Sequence, residues 1–296
     1  MDLEFRDILL GDKKIFDRFL PRLGEPRGSE YCFPLVFVEN ISGATQICDL
    51  GETAIVKTKW SNRRMFFPPM LKSAAKFIEA VTLIEQEALR EGVPLEIRMV
   101  GEPQAKSLDT KKYLVTENFA LSDYIYKADD LIHLVGKKFH SKRNYITRFY
   151  KKHENHTFRE YSETADRDNI MRLLGKWNAN TLHEKWALED KLIARALDHH
   201  RDLDLKIAVL YVAETLVAFS VNYVRNSEIA FTFFEKADTD YIGSYQVINQ
   251  RTAELFFGST KFVNRQCDMG VDGLRKAKLS YKPAELLHKY TVQHRN

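Results

Sequence analysis

The sequence predicts an α+β protein built from two halves, and three observations carry that expectation. Its 296 residues are at the upper edge of one domain and comfortable for two of about 150. The second half reads helix, helix, three strand-like runs (KIAVLYV, LVAFSVNYV, EIAFTFF), helix, strand, so a helix has to cross over to a further strand. The first half reads as a looser version of the same order, which a structural duplication would explain, although no sequence repetition is detectable. With 44% hydrophobic and 29% charged residues, the chain has the balance of a globular protein rather than a disordered one.

The first half opens with a helix after Asp12. A hairpin follows, ATQICDL and TAIVKTKW about a turn at Gly51. Trp60 and the run from Met65 to Met70 read as core, or as a lid carrying Arg63 and Arg64. A helix is expected from Leu71 to Arg90, with Ala74, Ile78, Val81, Ile84 and Ala88 on one face and Gly92 as its stop. In LEIRMV, Leu95, Ile97 and Met99 alternate as in a half-buried strand, and KKYLVTEN reads as another. A basic helix runs from Lys137 to Lys152, and the division is placed after it, giving residues 1–152 and 153–296. Beyond it, Ile170, Leu173, Leu174 and Trp177 take helical spacing, and a second helix covers Leu188 to Leu197. The three strands come next, then the loop EKADTDYIGS, the helix YQVINQRTAELFF, the segment FVNRQCDMGVDGLRKAKLSYKP and a short closing helix.

Several function classes are set aside on composition and pattern. The cysteines, Cys32, Cys48 and Cys267, are odd in number and form no CxxC pair, which argues against a disulfide framework and for a reducing compartment. The N-terminus lacks the basic start and apolar run of a signal peptide, and no stretch of about 18 apolar residues occurs, so no membrane span and a cytoplasmic location are expected. No metal site is expected, and neither GxSxG nor GxxxxGK[ST] is present.

Two segments concentrate polar chemistry. KKFHSKRNYITRFYKK carries Lys137, Lys138, Lys142, Arg143, Arg148, Lys151 and Lys152 without an acid, while Phe139, Ile146 and Phe149 form a stripe for the core. A solvated face covering the core would account for such a helix. Its like-charge neighbours, however, cost about 1 kcal/mol in all unless something anionic binds. Lys137 and Lys138 also stand at the positive end of the helix dipole, where an anion is favoured and a cation is not. The expected partner is an anionic ligand, a tRNA or a phosphate-bearing small molecule. The second segment holds Arg265, Asp268, Gly270, Gly273, Arg275, Lys278 and Tyr281 beside an expected core strand. It reads either as a loop closed by Asp–Arg pairs or as a site.

DDLIHLVGKKFHSKRNYITRF and NRQCDMGVDGLRKAKLSYKP resemble signature stretches of bacterial proteins grouped with the C-terminal catalytic domain of phosphatidylglycerol lysyltransferases. The resemblance extends over nearly the whole chain. It implies two tandem GNAT-like (acyl-CoA N-acyltransferase-like) mixed-sheet domains, similar to the Fem-type transferases that use aminoacyl-tRNA and that also join their halves by a basic helix. The lysyltransferases carry a membrane-embedded flippase ahead of this domain, which this sequence does not, so lipid is not carried over as the acceptor. The coenzyme A loop of simple acetyltransferases, Q/R-x-x-G-x-G/A, falls on Asp240 to Tyr245, where only Gly243 fits, and Asp238 and Asp240 would repel a pyrophosphate. Gly243 and Ser244 at the following helix start remain the candidate cofactor contacts.

Transfer of an acyl group to an amine needs a proton acceptor, donors for the developing oxyanion and a pocket that orients both substrates. Tyr281, Tyr245 and Asp268 are the candidate proton handlers. Arg265, Arg275 and Lys278 are the candidate anion partners, with Lys137, Lys138, Lys142 and Arg143 on the basic helix. The expected function is transfer of an acyl or aminoacyl group, from aminoacyl-tRNA or acyl-CoA as co-substrate, to an amine or hydroxyl. The competing expectations are a non-catalytic module that binds RNA or another polyanion through the basic helix and a conventional coenzyme A-dependent N-acetyltransferase.

Overall fold

The computed structural model describes residues 3–23, 26–41, 43–60, 63–179 and 188–295. The chain forms two compact units, Met1–Asp123 with Cys267–Arg275 and Leu286–Asn296, and Tyr124–Gln266 with Lys276–Glu285. In chain order the elements are β1 (Arg6–Asp7), α1 (Lys13–Phe19), α2 (Phe33–Glu39), β2 (Gln46–Asp49), β3 (Thr53–Trp60), β4 (Arg63–Phe66), β5 (Met70–Leu71), α3 (Phe77–Arg90), β6 (Glu96–Gly101), α4 (Glu102–Lys106) and β7 (Tyr113–Glu117). They continue with β8 (Asp123–Lys127), α5 (Ala128–His133), α6 (His140–Lys152), β9 (His156–Glu160), α7 (Glu163–Ala179), α8 (Glu189–Asp198), β10 (Lys206–Val212), β11 (Thr215–Val224) and β12 (Ile229–Ala237). Last come α9 (Ser244–Phe256), β13 (Phe262–Asn264), α10 (Asp272–Leu279), β14 (Glu285–Leu287) and β15 (Lys289–His294).

The first sheet has the order β1-β2-β3-β4-β6-β15-β7, with β5 added to β3, and the second has the order β9-β10-β11-β12-β13-β8-β14. The two orders correspond strand for strand. In each, three consecutive antiparallel strands lead through a helix (α3 or α9) to a parallel neighbour, β4 to β6 and β12 to β13. The duplication suggested by element order is therefore present in the topology. The exception to chain order is the sixth strand of each sheet: β8 fills it in the second sheet, and β15, at the far end of the chain, fills it in the first.

That arrangement displaces the division from Lys152. The basic helix lies within the second unit, and the first unit recovers the last strand. The expected closing helix is accordingly a strand. β15 pairs antiparallel with both β6 and β7, and Val292 is fully buried between them. The same pairing changes β6. Met99 takes φ = +61° beside a register shift, so the alternation expected through it breaks and Val100 is buried instead. In α3 the helix begins only at Phe77, after a short 3₁₀ turn. Phe77, Ala80, Val81, Ile84 and Ala88 face the core, and Ile78 is turned out, 45% exposed. The Met65–Met70 run belongs to the core, with Arg64 paired to Glu91 and Arg63 to Glu96. The side chain of Trp60 lies outside the described residues.

A buried ion cluster anchors the last strand. Lys289, 1% exposed, bonds to Glu30 and stands 3.2 Å from Asp123, which also accepts from the Ser29 backbone and hydroxyl. Removing one partner of such a cluster leaves the others buried and unmatched. Lys289→Met is expected to lower unfolding free energy by about 3–5 kcal/mol in urea titration. A loss below about 1 kcal/mol would show that the cluster does not hold β15.

Candidate functional site

In the second unit β12 and β13 pair through Ile229–Phe262, Ala230–Val263 and Phe231–Asn264, and then part. Gln266, with φ = +58°, turns the chain off the strand line. Its side-chain amide donates to the carbonyls of Thr232 (3.1 Å) and Phe233 (2.9 Å), so β12 stays hydrogen-bonded where its neighbour has left. β12 itself runs past the expected end at Phe234. Ser220, Phe219 and Ala218 of β11 pair with Glu235, Lys236 and Ala237, and Lys236 is matched by Glu189 and stacked on Trp177.

Charged side chains fill the gap. Arg265 donates through Nη2 to Glu235 Oε1 at 2.8 Å, and Glu235 Oε2 accepts from Asn249 at 3.0 Å. The guanidinium lies over the rings of Tyr281 and Tyr126, 5.0 and 5.6 Å from their centroids. Arg265 Nη1 is buried and has no hydrogen-bond partner among the described residues. Lys142 Nζ donates to Ser280 Oγ at 2.5 Å and sits 4.1 Å from the same Tyr281 centroid. Lys278 donates to the carbonyls of Arg265 and Gln266, the latter at 3.1 Å, and Tyr126 donates to the Lys278 carbonyl at 2.8 Å. Of these three cations Arg265 pairs with Glu235, whereas Lys142 bonds to a hydroxyl and Lys278 to backbone carbonyls. Burial, and then the Arg265 charge, lowers the Lys142 amine to about 8, and burial pushes the phenols of Tyr126 and Tyr281 up. A site of this charge that keeps a spare guanidinium donor is suited to an oxyanion or a polarised carbonyl.

The structure brings together Lys142, Arg265, Lys278 and Tyr281 from the sequence-derived candidates, and adds Glu235, Tyr126, Asn249 and Ser280. Glu235 opens the segment EKADTDYIGS, which the sequence predicts as a loop, and a charged pair ending an apolar run is the signal it carries. Tyr126, Asn249 and Ser280 carry no local signal. Lys142 departs from its expected role on an exposed face: it is 8% exposed, because the position that continues the Phe139, Ile146 and Phe149 stripe points inward. Lys137 is exposed, Lys138 pairs with Asp130 at 2.9 Å, and Arg143 donates to the carbonyls of Leu134 and Gly136 (2.8 Å) at the end of α5. Those two cations answer groups at the end of α5 itself.

At the start of α9, Gly243 has φ = +98°, and a Cβ there would stand 2.4 Å from the Tyr145 carbonyl oxygen and 3.0 Å from Phe149 Cβ. The α6 backbone therefore lies directly against this helix start. The Ser244 hydroxyl is buried and donates to the Asp238 carbonyl, so it is engaged within the fold. Asp238 and Asp240 are bridged by Lys176 at 2.6 and 2.7 Å, which offsets part of the negative charge read from the sequence. Tyr245 is engaged with Trp177 and the Ala237 backbone, and burial raises its phenol. In the first unit, Asp268, fully buried, takes a two-pronged ion pair from Arg275 (2.8 and 3.2 Å) and the Gly270 N–H, while Arg275 stacks on Phe119.

Comparisons with known proteins agree with this architecture. A family model described as phosphatidylglycerol lysyltransferase, C-terminal, matches residues 22–293. A conserved protein of unknown function from Bacteroides thetaiotaomicron is 26% identical, with a TM-score of 0.90 over 99% of this chain and 100% of that one. The structure of L-PGS from Bacillus licheniformis is 15% identical, with a TM-score of 0.64 over 96% of this chain and 92% of that one. A tandem GNAT protein from the clavulanic acid biosynthesis pathway is 9% identical, with a TM-score of 0.56 over 99% and 98%. The fold is thus a tandem GNAT-like α+β architecture. An uncharacterized protein of Mycoplasmoides gallisepticum is 27% identical over 174 residues, 58% of this chain and just over half (56%) of that relative. Among the described residues no helix is long and apolar enough to cross a membrane.

The Asp268–Arg275 pair bears on how any loss of activity is read. Arg275→Ala leaves Asp268 buried without its cation, and a cost of roughly 2–3 kcal/mol is expected, discounted because Arg275 is itself a third exposed. Thermal denaturation checks this; an unchanged melting temperature would release Arg275 from the structural role.

Proposed function

Because the chain belongs to the family of phosphatidylglycerol lysyltransferase C-terminal domains, we propose that it is an acyl- or aminoacyltransferase whose reaction takes place between β12 and β13. The observation that carries this reading is the buried, unpartnered Arg265 Nη1. A donor held rigid by Glu235 and two aromatic rings can meet the oxygen that becomes negative when a carbonyl is attacked, with no reorganisation at that moment. Lys142 and Lys278 add positive potential in the same site. Tyr281, whose ring lies against both Lys142 and Arg265, forms one wall.

The donor in this reading is an aminoacyl-tRNA, and the location cytoplasmic. Close packing of the Tyr145 carbonyl on Gly243 disfavours a pyrophosphate at the start of α9, which argues against coenzyme A. The outer face of α6 presents Tyr145, Arg148, Lys151 and Lys152, all exposed, a basic surface with an aromatic that suits an RNA backbone. The same face supports the second reading, a module that binds RNA without chemistry. Asp268 and Arg275 enter the proposal only as supports of their loop.

Thermal shifts with aminoacyl-tRNA, uncharged tRNA and acyl-CoA separate the readings. Stabilisation that requires the aminoacyl group is expected. Equal stabilisation by any RNA would favour the binding module, and stabilisation by acyl-CoA alone a conventional acetyltransferase. Arg265→Lys, which keeps charge but loses the forked geometry, is expected to reduce transfer by about 10²–10³-fold. Full activity of that variant would remove Arg265 from the reaction.

A further inference from the structure

Resting on that transferase reading, we infer that the side-chain amine of Lys142 takes the proton from the attacking nucleophile and returns it to the leaving oxygen. Lys142 differs from the other lysines of its segment. Lys137, Lys138, Lys151 and Lys152 are exposed, as a long side chain with a charged head ordinarily is, whereas Lys142 is buried. Among the described residues its amine makes one hydrogen bond, to Ser280 Oγ, and the Ser280 hydroxyl donates its own hydrogen bond to the Ala277 carbonyl. The partner is therefore a neutral acceptor.

No carboxylate is within ion-pair distance of this amine among the described residues. The groups that act on it are Arg265 from the end of β13, Glu235 from β12, and Ser280 and Tyr281 from the turn after α10, while α9, packed against α6, contributes Asn249, which is bonded to Glu235. Glu235 is the one acid of the set, and both of its oxygens are engaged, by Arg265 and Asn249. Of the two charges that act on Lys142, the like charge of Arg265 outweighs the opposite charge of Glu235. Desolvation first and the Arg265 charge second favour the neutral amine, the Glu235 charge opposes them more weakly, and the group is lowered to about 8. At neutral pH about a tenth of the molecules then carry a free amine, poised to accept a proton, and the protonated form is acidic enough to give it back.

The step balances without a further reactant. The nucleophile's nitrogen or oxygen bonds to the acyl carbon, the carbonyl π pair moves onto its oxygen against Arg265 Nη1, and the nucleophile's proton passes to Lys142. Collapse breaks the bond from the acyl carbon to the leaving oxygen, which takes the proton from the Lys142 ammonium. Ester and amine become amide and alcohol, or one ester exchanges for another, and Lys142 ends as it began. No electrons are gained or lost overall.

The test uses the intact chain with an aminoacyl ester donor. kcat/KM is expected to rise with pH through about 8 and level off, since the unprotonated amine is the active form. In Lys142→Met the rising limb is expected to vanish, with about 10²–10³-fold loss. Lys142→Arg keeps the charge and cannot release the proton; it is expected to be as inactive as Lys142→Met while melting like the parent. An active Lys142→Arg, or a limb that persists in Lys142→Met, overturns the proposal. Titration of the Lys142 amine by NMR provides a readout free of activity: a midpoint near the ordinary lysine value of about 10.4 also overturns it. If no donor supports transfer by the intact chain, the transferase reading falls and this role with it, whereas an ordinary titration removes only the role of Lys142.

Discussion

The second unit depends on how two parallel strands separate without leaving β12 unpaired. Gln266 meets that constraint by giving its side-chain amide to the Thr232 and Phe233 carbonyls in place of a neighbouring strand. Once the strands have parted, Arg265 occupies the gap, and a buried guanidinium requires Glu235 and the faces of Tyr126 and Tyr281. The carbonyls released at Arg265 and Gln266 are met by Lys278, which ties the end of α10 to the parted strands and sets Ser280 and Tyr281 in place. Lys142 then finds its hydroxyl and its ring already fixed. Two buried atoms of the site have no hydrogen-bond partner among the described residues, Arg265 Nη1 and Asn249 Oδ1, and the first is a donor free to meet a developing negative charge.

The duplicated topology accounts for a second feature, the extended path of the chain. Each sheet needs a strand in sixth position beside its parallel pair, and neither sheet takes it from the residues that directly follow that pair. β15 completes the first sheet from the end of the sequence, and its lysine is buried among acids of the first unit. The helix α6 illustrates a third. Its inner face packs backbone against backbone at Gly243, which no residue with a Cβ permits, so the start of α9 is in part a packing surface. Its outer face keeps the exposed cations.

Much of the fold was legible locally. The hairpin at Gly51, the strands β10 to β12, the helix α9 and the buried stripe of α6 follow from periodicity and turn residues, which act over a few positions. The start of α3 and the turn of Met99 were not legible, because each is set by what a neighbouring strand requires rather than by its own residues. Long-range pairing decided the last strand: KYTVQH is ambiguous in isolation and becomes a strand only between β6 and β7.

The sequence by itself determined the α+β class, the two similar halves, and the two segments that hold Lys142, Arg265, Lys278 and Tyr281, since composition and spacing are local properties. Only the tertiary structure decided that these four meet, that Glu235 joins them, that Asp268 and Arg275 neutralise each other, and that Lys142 alone among the helix cations is buried, with no ion pair to an acid among the described residues. The reason is physical: a charge takes its chemical character from the groups and the solvent around it, and those are assembled by contacts between residues far apart in the chain.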